Sequence, residues 1–273
     1  MVYIISALAT PYYDDDKIDN LGKYVVSIRS RTPHRYYGDN HYCGGAIISR
    51  LFILTAAQCV MDHRYVVYRA RFLFVVAGTP NRLKFVRDES VGMPAKRVFV
   101  PESFTLLNMN NIALILLLAP LPEDNQRVGI IQLPKRPAIA GEIYQVIGWG
   151  RVFLGGFLSS KALIIDIDLQ NDTVCKDLLQ DFQPGMLCAG NLESTEDEHP
   201  CAGDSGNPFM RNLTVYGIVT YQLGCGQEHV PSIYTDVYFH LDWVNDIMTK
   251  NSSGEFNICL LYALLMQITL LAT

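Results

Sequence analysis

Between Ile18 and Thr249 the sequence has no apolar run long enough to cross a bilayer, which takes roughly 17–25 residues. It has no block of Lys or Arg, and its formal net charge is −5, so the electrostatic footprint of a nucleic-acid partner is missing. No segment repeats at a fixed period, which excludes a solenoid or array. No C-x-x-C pair occurs, so the cysteines lack the spacing of a metal site, and neither metal nor cofactor is expected. Charged residues are scarce, at 18% of 273, while 49% of the chain is apolar. That balance belongs to a folded chain with a sizeable core, not a disordered one.

What is present begins with seven cysteines, many for a compartment that keeps thiols reduced. Three sequons, at Asn171, Asn212 and Asn251, fit the same oxidising and glycosylating route. Residues 1–17 read as a short apolar and acidic leader: a stunted signal peptide, or the remnant of one that starts upstream, followed by Asp14, Asp15 and Asp16. Residues 251–273 read as a linker and a tail, uncharged from Phe256 to Thr273 and holding the odd cysteine, Cys259. Ser252, Ser253 and Gly254 before that tail resemble a glycolipid-anchor attachment site, although the polar spacer is short. A membrane helix and a non-anchoring tail stay open beside it. The protein is therefore expected to be secreted, with tethering to the outer cell surface through the tail as an option.

Within 18–250 the apolar runs are short, β-branched and aromatic, and most are separated by Gly, Pro, Asn or Asp. Tyr24–Ile28, Ala46–Ile48, Arg71–Val76, Ile112–Leu116, Tyr144–Ile147 and Val215–Thr220 read as strands. Val237–Met248 alone has apolar residues at helical spacing, and a closing helix over 238–249 is predicted. The pattern is an all-β barrel or sandwich protein with one C-terminal helix.

The sharpest motif is Cys201-Ala-Gly-Asp-Ser-Gly-Asn-Pro208, which resembles the G-D-S-G-G-P nucleophile loop of the chymotrypsin-like serine proteases. The resemblance continues in Cys43-Gly-Gly45, Leu54-Thr-Ala-Ala-Gln-Cys59, Asn111-Ile-Ala-Leu114, Gly148-Trp-Gly150, Gly217-Ile-Val219, Tyr234-Thr235 and Trp243, in family order. It implies two packed six-stranded antiparallel β-barrels, roughly 18–125 and 126–237, with a site in the cleft between them. It also implies the disulfides Cys43–Cys59, Cys175–Cys188 and Cys201–Cys225, each closing a short loop and contributing about 2–4 kcal/mol.

The departures bear on function. A serine hydroxyl is a weak nucleophile at neutral pH and needs a base to take its proton. The family uses a histidine for this and an aspartate to orient and stabilise it. In this sequence Gln58 stands at the histidine position and Asn111 at the aspartate position, while Ser205 is kept. A carboxamide hydrogen-bonds but has no usable basicity near neutral pH. Among the remaining histidines, His34, His41, His63, His199, His229 and His240, only His41 and His63 lie near the Gln58 segment. His41 matches a structural family histidine, and His63, five residues beyond Gln58, would point elsewhere.

The backbone N–H groups of Gly203 and Ser205 would still make the oxyanion hole. The specificity pocket would have His199 at its floor and Gln222 and Ser232 where the family lines the cavity with glycine, which narrows or fills it. Lys17-Ile18 occupies the activation position: in the family, cutting there frees an Ile amine that pairs with the aspartate before the nucleophile, here Asp204. The resemblance implies a catalytically inactive homologue that binds proteins of an extracellular protease cascade, as partner, cofactor or decoy. A weak or unorthodox serine endopeptidase using Ser205 is the alternative.

Overall fold

The computed structural model describes residues 15–105, 109–153, 155–193, 199–220, 225 and 229–251. The chain opens with α1 (Asp15–Gly22) and continues through β1 (Val25–Ser30), β2 (His41–Ile47), β3 (Phe52–Thr55), β4 (Leu73–Ala77), β5 (Val91–Phe99) and β6 (Ala113–Leu117). The second half holds β7 (Ile143–Gly148), β8 (Leu163–Asp168), α2 (Asp172–Leu178), β9 (Met186–Ala189), β10 (Pro208–Arg211), β11 (Thr214–Val219) and β12 (Ser232–Asp236).

Strands β1 to β6 close into an antiparallel barrel in the order β1-β2-β3-β6-β5-β4. Strands β7 to β12 form a six-stranded sheet in the order β8-β7-β10-β11-β12-β9. Its two edges meet where Leu169, just past β8, bridges Ala189 of β9. Full pairing leaves little open edge, which suits strands as apolar as Phe52–Thr55 and Ala113–Leu117, buried along their whole length. The halves are the two expected barrels. The backbone ties them beside the site, where the Gly44 N–H of β2 donates to the Ser205 carbonyl at 2.8 Å.

Two boundaries differ from the sequence reading. The leader expected to end at Lys17 runs into α1, which begins at Asp15 and buries Ile18 in the core. Asp15 and Asp16 of the acidic run are thus in the first turn of a helix, where carboxylates favour the N-terminal dipole. The closing helix spans 241–251, not 238–249. The Asp236 side chain accepts from the Tyr238 and Phe239 N–H groups, holding 237–240 as turns, so the helix starts three residues later. No helix among the described residues is long and apolar enough to cross a membrane. Most of the leader, the tail 252–273 with Cys259, and Gln222 lie outside the described residues.

Candidate active site

Gln58 sits in the 3-10 turn Ala57–Val60 that follows β3, and Cys59 within that turn is bonded to Cys43 of β2. Asn111, fully buried, precedes β6. Ser205 lies in the turn before β10, only 7% exposed. Gly206 in this turn has φ +85°, and a Cβ there would overlap Thr55 and the Gly44 carbonyl, so the tight return toward β10 needs glycine.

The three side chains form one hydrogen-bonded chain. Asn111 Nδ2 donates to Gln58 Oε1 at 2.7 Å, and Gln58 Nε2 donates to Ser205 Oγ at 3.1 Å. Amide orientation is set by the network around it, and here a backbone group fixes it. The Gln58 N–H donates to Asn111 Oδ1 at 3.2 Å. A backbone N–H cannot accept, so Asn111 must turn its oxygen that way and its NH2 toward Gln58. Gln58 then answers with Oε1 and has only Nε2–H left for the serine. The hydroxyl oxygen therefore receives a proton donor where catalysis requires a proton acceptor.

No other histidine takes the vacant role. His41 is buried, with Nδ1 2.8 Å from Ser27 Oγ and Nε2 3.2 Å from the Gly203 carbonyl. The carbonyl can only accept, so Nε2 carries the proton and Nδ1 accepts from Ser27. Desolvation first, then the Arg82 and Arg29 charges, depress its pKa to about 3. It is a neutral strut that holds the Gly203 carbonyl. His63 is exposed on the loop after Asp62 and makes no hydrogen bond to Ser205. His34 is exposed, His229 bonds the Leu192 carbonyl, and His240 bonds the Asp236 carbonyl and Asn110.

Asp204 is buried, and its carboxylate accepts from Gly150 N–H at 2.8 Å, Cys201 N–H at 3.0 Å and Asn207 Nδ2 at 3.1 Å. Burial raises its pKa to about 6, against the lowering effect of these three donors. Ile18 is not among its partners in the uncut chain. The Lys17–Ile18 bond lies inside α1, with Lys17 Nζ on Asp166 at 3.0 and 3.1 Å. No described residue accepts from the N–H of Gly203 or of Ser205. Of the residues expected at the specificity pocket, His199 Nδ1 lies 3.1 Å from Ser232 Oγ, so these two side chains bond to each other.

The trypsin family profile matches residues 15–244, which contain every element of this site. The chain belongs to the trypsin family. It is 31% identical to anionic trypsin of Canis lupus familiaris over 92% of this chain and 98% of that one. It is 28% identical to serine protease 1 of Homo sapiens over the same shares. Trypsin zeta of Drosophila melanogaster is 28% identical over 82% of this chain and 81% of its own.

All three disulfides implied by that membership are formed, Cys43–Cys59, Cys175–Cys188 and Cys201–Cys225. Of the sequon asparagines, Asn171 caps α2 by accepting from the Val174 N–H, and Asn212 is at the tip of the β10–β11 hairpin with φ +49°. Asn251 bonds the Ile247 carbonyl at the end of the described helix.

Two features of this trypsin-family site were not singled out from sequence. Asn207, fully buried, reaches Asp204 from the position where the family motif reads glycine, so the departure was visible in the motif itself. The second is a pair of buried guanidiniums, Arg29 and Arg82, with no buried carboxylate beside them. Arg29 donates to Ser27 and the Arg82 carbonyl, and Arg82 donates to the carbonyls of Gly38, Leu158 and Ser159. Burial lowers both pKa values. These arginines carry no periodic or motif signal, because their partners are mostly backbone carbonyls.

Proposed function

We propose that this trypsin-family chain is catalytically inactive and acts outside the cell as a partner, cofactor or decoy for proteins of a proteolytic cascade. The observation that carries the reading is the direction of one hydrogen bond: Gln58 donates to Ser205 Oγ and has no basic nitrogen with which to take its proton. Losing the histidine alone costs on the order of a million-fold in turnover in a related catalytic unit. The His199–Ser232 bond supports the same reading, because a specificity floor tied to its wall offers less to a substrate side chain. Three disulfides support an oxidising, extracellular setting.

Binding has a surface available. The loop that leaves the Gln58 turn exposes Tyr65, Val66, Val67, Tyr68 and Phe72, with Arg64, Arg69 and Arg71 exposed among them. None of these arginines forms an ion pair with a described residue. Apolar exposure on this scale, in a short stretch, is typical of recognition surfaces. Affinity capture from the native extracellular fluid tests this. Wild type and Ser205→Ala are expected to retain the same partners, and Arg64→Glu/Arg69→Glu/Arg71→Glu to lose them. Partners that depend on Ser205 would instead favour the second reading, a weak endopeptidase, for which the N–H groups of Gly203 and Ser205 remain unclaimed.

A further inference from the structure

Asp204 is a carboxylate in the protein interior with no cation against it among the described residues. Tyr234, the titratable side chain that faces it from β12, carries no positive charge, and its hydroxyl has no hydrogen-bond partner. A buried ionised group needs compensating donors, and here they are three N–H groups. Two are backbone, from Gly150 and Cys201. The third is the side-chain amide of Asn207.

Asn207 is built tightly into this place. A Cβ on Gly44 of β2 would overlap Asn207 Oδ1, and one on Gly148 of β7 would overlap Asn207 Nδ2 and Asp204 Oδ1. The side chain thus wedges between a strand of each barrel, in room that only two glycines leave. Its Oδ1 is buried without a partner, so the position carries a polar penalty. A glycine, as in the G-D-S-G-G-P motif, would avoid that penalty. The gain that offsets it is the bond to Asp204.

In relatives that follow the family motif, the group set against this aspartate is a new chain-terminal amine. In the uncut chain the Ile18 nitrogen is a peptide nitrogen within α1, and the Ile18 side chain is 4% exposed. We infer that Asn207 is the positioning residue that stands in for that amine: by donating to Asp204 Oδ1 it sets the turn carrying Ser205 in the uncut chain, so ordering of the site does not require scission of Lys17–Ile18. His41 secures the other end of the turn through the Gly203 carbonyl, and it too needs no new chain end. The role of Asn207 does not depend on whether Ser205 does chemistry.

Hydrogen exchange read by mass spectrometry on the full protein, uncut and cut after Lys17, tests the inference. Uncut wild type, Lys17→Ala, which cannot be cut after residue 17, and cut wild type should protect segments 148–151 and 201–207 equally, within about threefold. Asn207→Gly should speed exchange in both segments by about tenfold or more, the scale of one lost charge-assisted hydrogen bond. Strand β3 serves as the folding control and should not change. Equal protection of the turn in Asn207→Gly and wild type, with β3 unchanged, would overturn the inference. So would an unprotected turn in uncut wild type that tightens only after cutting at Lys17. If the glycine variant also loosens β3, the comparison of uncut with cut wild type decides alone: equal protection upholds the inference, and a turn that tightens only on cutting overturns it.

Discussion

The double variant Gln58→His/Asn111→Asp is expected to hydrolyse a small activated ester at a rate far above wild type, with loss of the gain when Ser205 is also changed to Ala. The geometry for this is in place. An imidazole at 58 would bring a nitrogen to where Gln58 Nε2 now stands, 3.1 Å from Ser205 Oγ. An aspartate at 111 would keep the oxygen that now accepts from the residue 58 N–H and offer its other oxygen to the imidazole. Gln58→His alone should fall roughly ten-thousand-fold short of the double variant, because an asparagine behind the histidine favours the wrong tautomer and supplies no charge. An ester without a large side chain is the right probe, since His199 and Ser232, the residues proposed for the specificity pocket, bond each other. Kinetics of the four proteins, wild type, both singles and the double, check the expectation.

The second large effect is on stability against pH, and two buried groups drive it in opposite directions. Asp204 has its pKa raised to about 6 from 3.8, so the fold binds its proton more tightly than the unfolded chain does. Its contribution is fully present below pH 3.8 and is lost as pH rises through about 6, amounting to about 3 kcal/mol at ~1.4 kcal/mol per pKa unit. His41 is depressed from 6.5 to about 3, so its contribution is present above pH 6.5 and lost as pH falls toward 3. Between about pH 4 and 6 the two slopes oppose, and wild-type stability should be nearly flat there. Asp204→Asn removes one slope and leaves the other. Urea unfolding of both proteins should show the variant gaining on wild type by about 2 kcal/mol between pH 4 and pH 7. A difference that does not change with pH would mean that Asp204 titrates as an exposed carboxylate.

Much of the barrel architecture was legible in the sequence, because its signals are local. Short β-branched runs such as Ile112–Leu116 and Tyr144–Ile147 became β6 and β7. The ordered motifs around Cys43, Cys59, Cys201 and Ser205 placed both barrels and the three disulfides. Gln58, Asn111 and Ser205 were legible as residue types, and the structure brings them within hydrogen-bonding distance. What the sequence could not hold is direction: that Asn111 is locked by a backbone N–H, and so turns Gln58 into a donor, is a property of packing.

The two helices that escaped notice have different reasons. In α1 only Ile18 is buried, and the ion pairs Lys17–Asp166 and Asp19–Arg127 that join it to the body span over a hundred residues of sequence. α2 did carry a local signal, Asn171 as N-cap with Asp172 in the first turn. The same asparagine opens the sequon Asn171-Asp-Thr173, so one residue carries both signals.

The central claim is that no group beside Ser205 takes its proton, and a fluorophosphonate probe addresses it on the unaltered protein. Incubation at neutral pH, followed by intact-mass measurement with Ser205→Ala in parallel, should leave wild type as unmodified as the alanine variant. Rapid one-to-one labelling of wild type, absent in Ser205→Ala, would contradict the account.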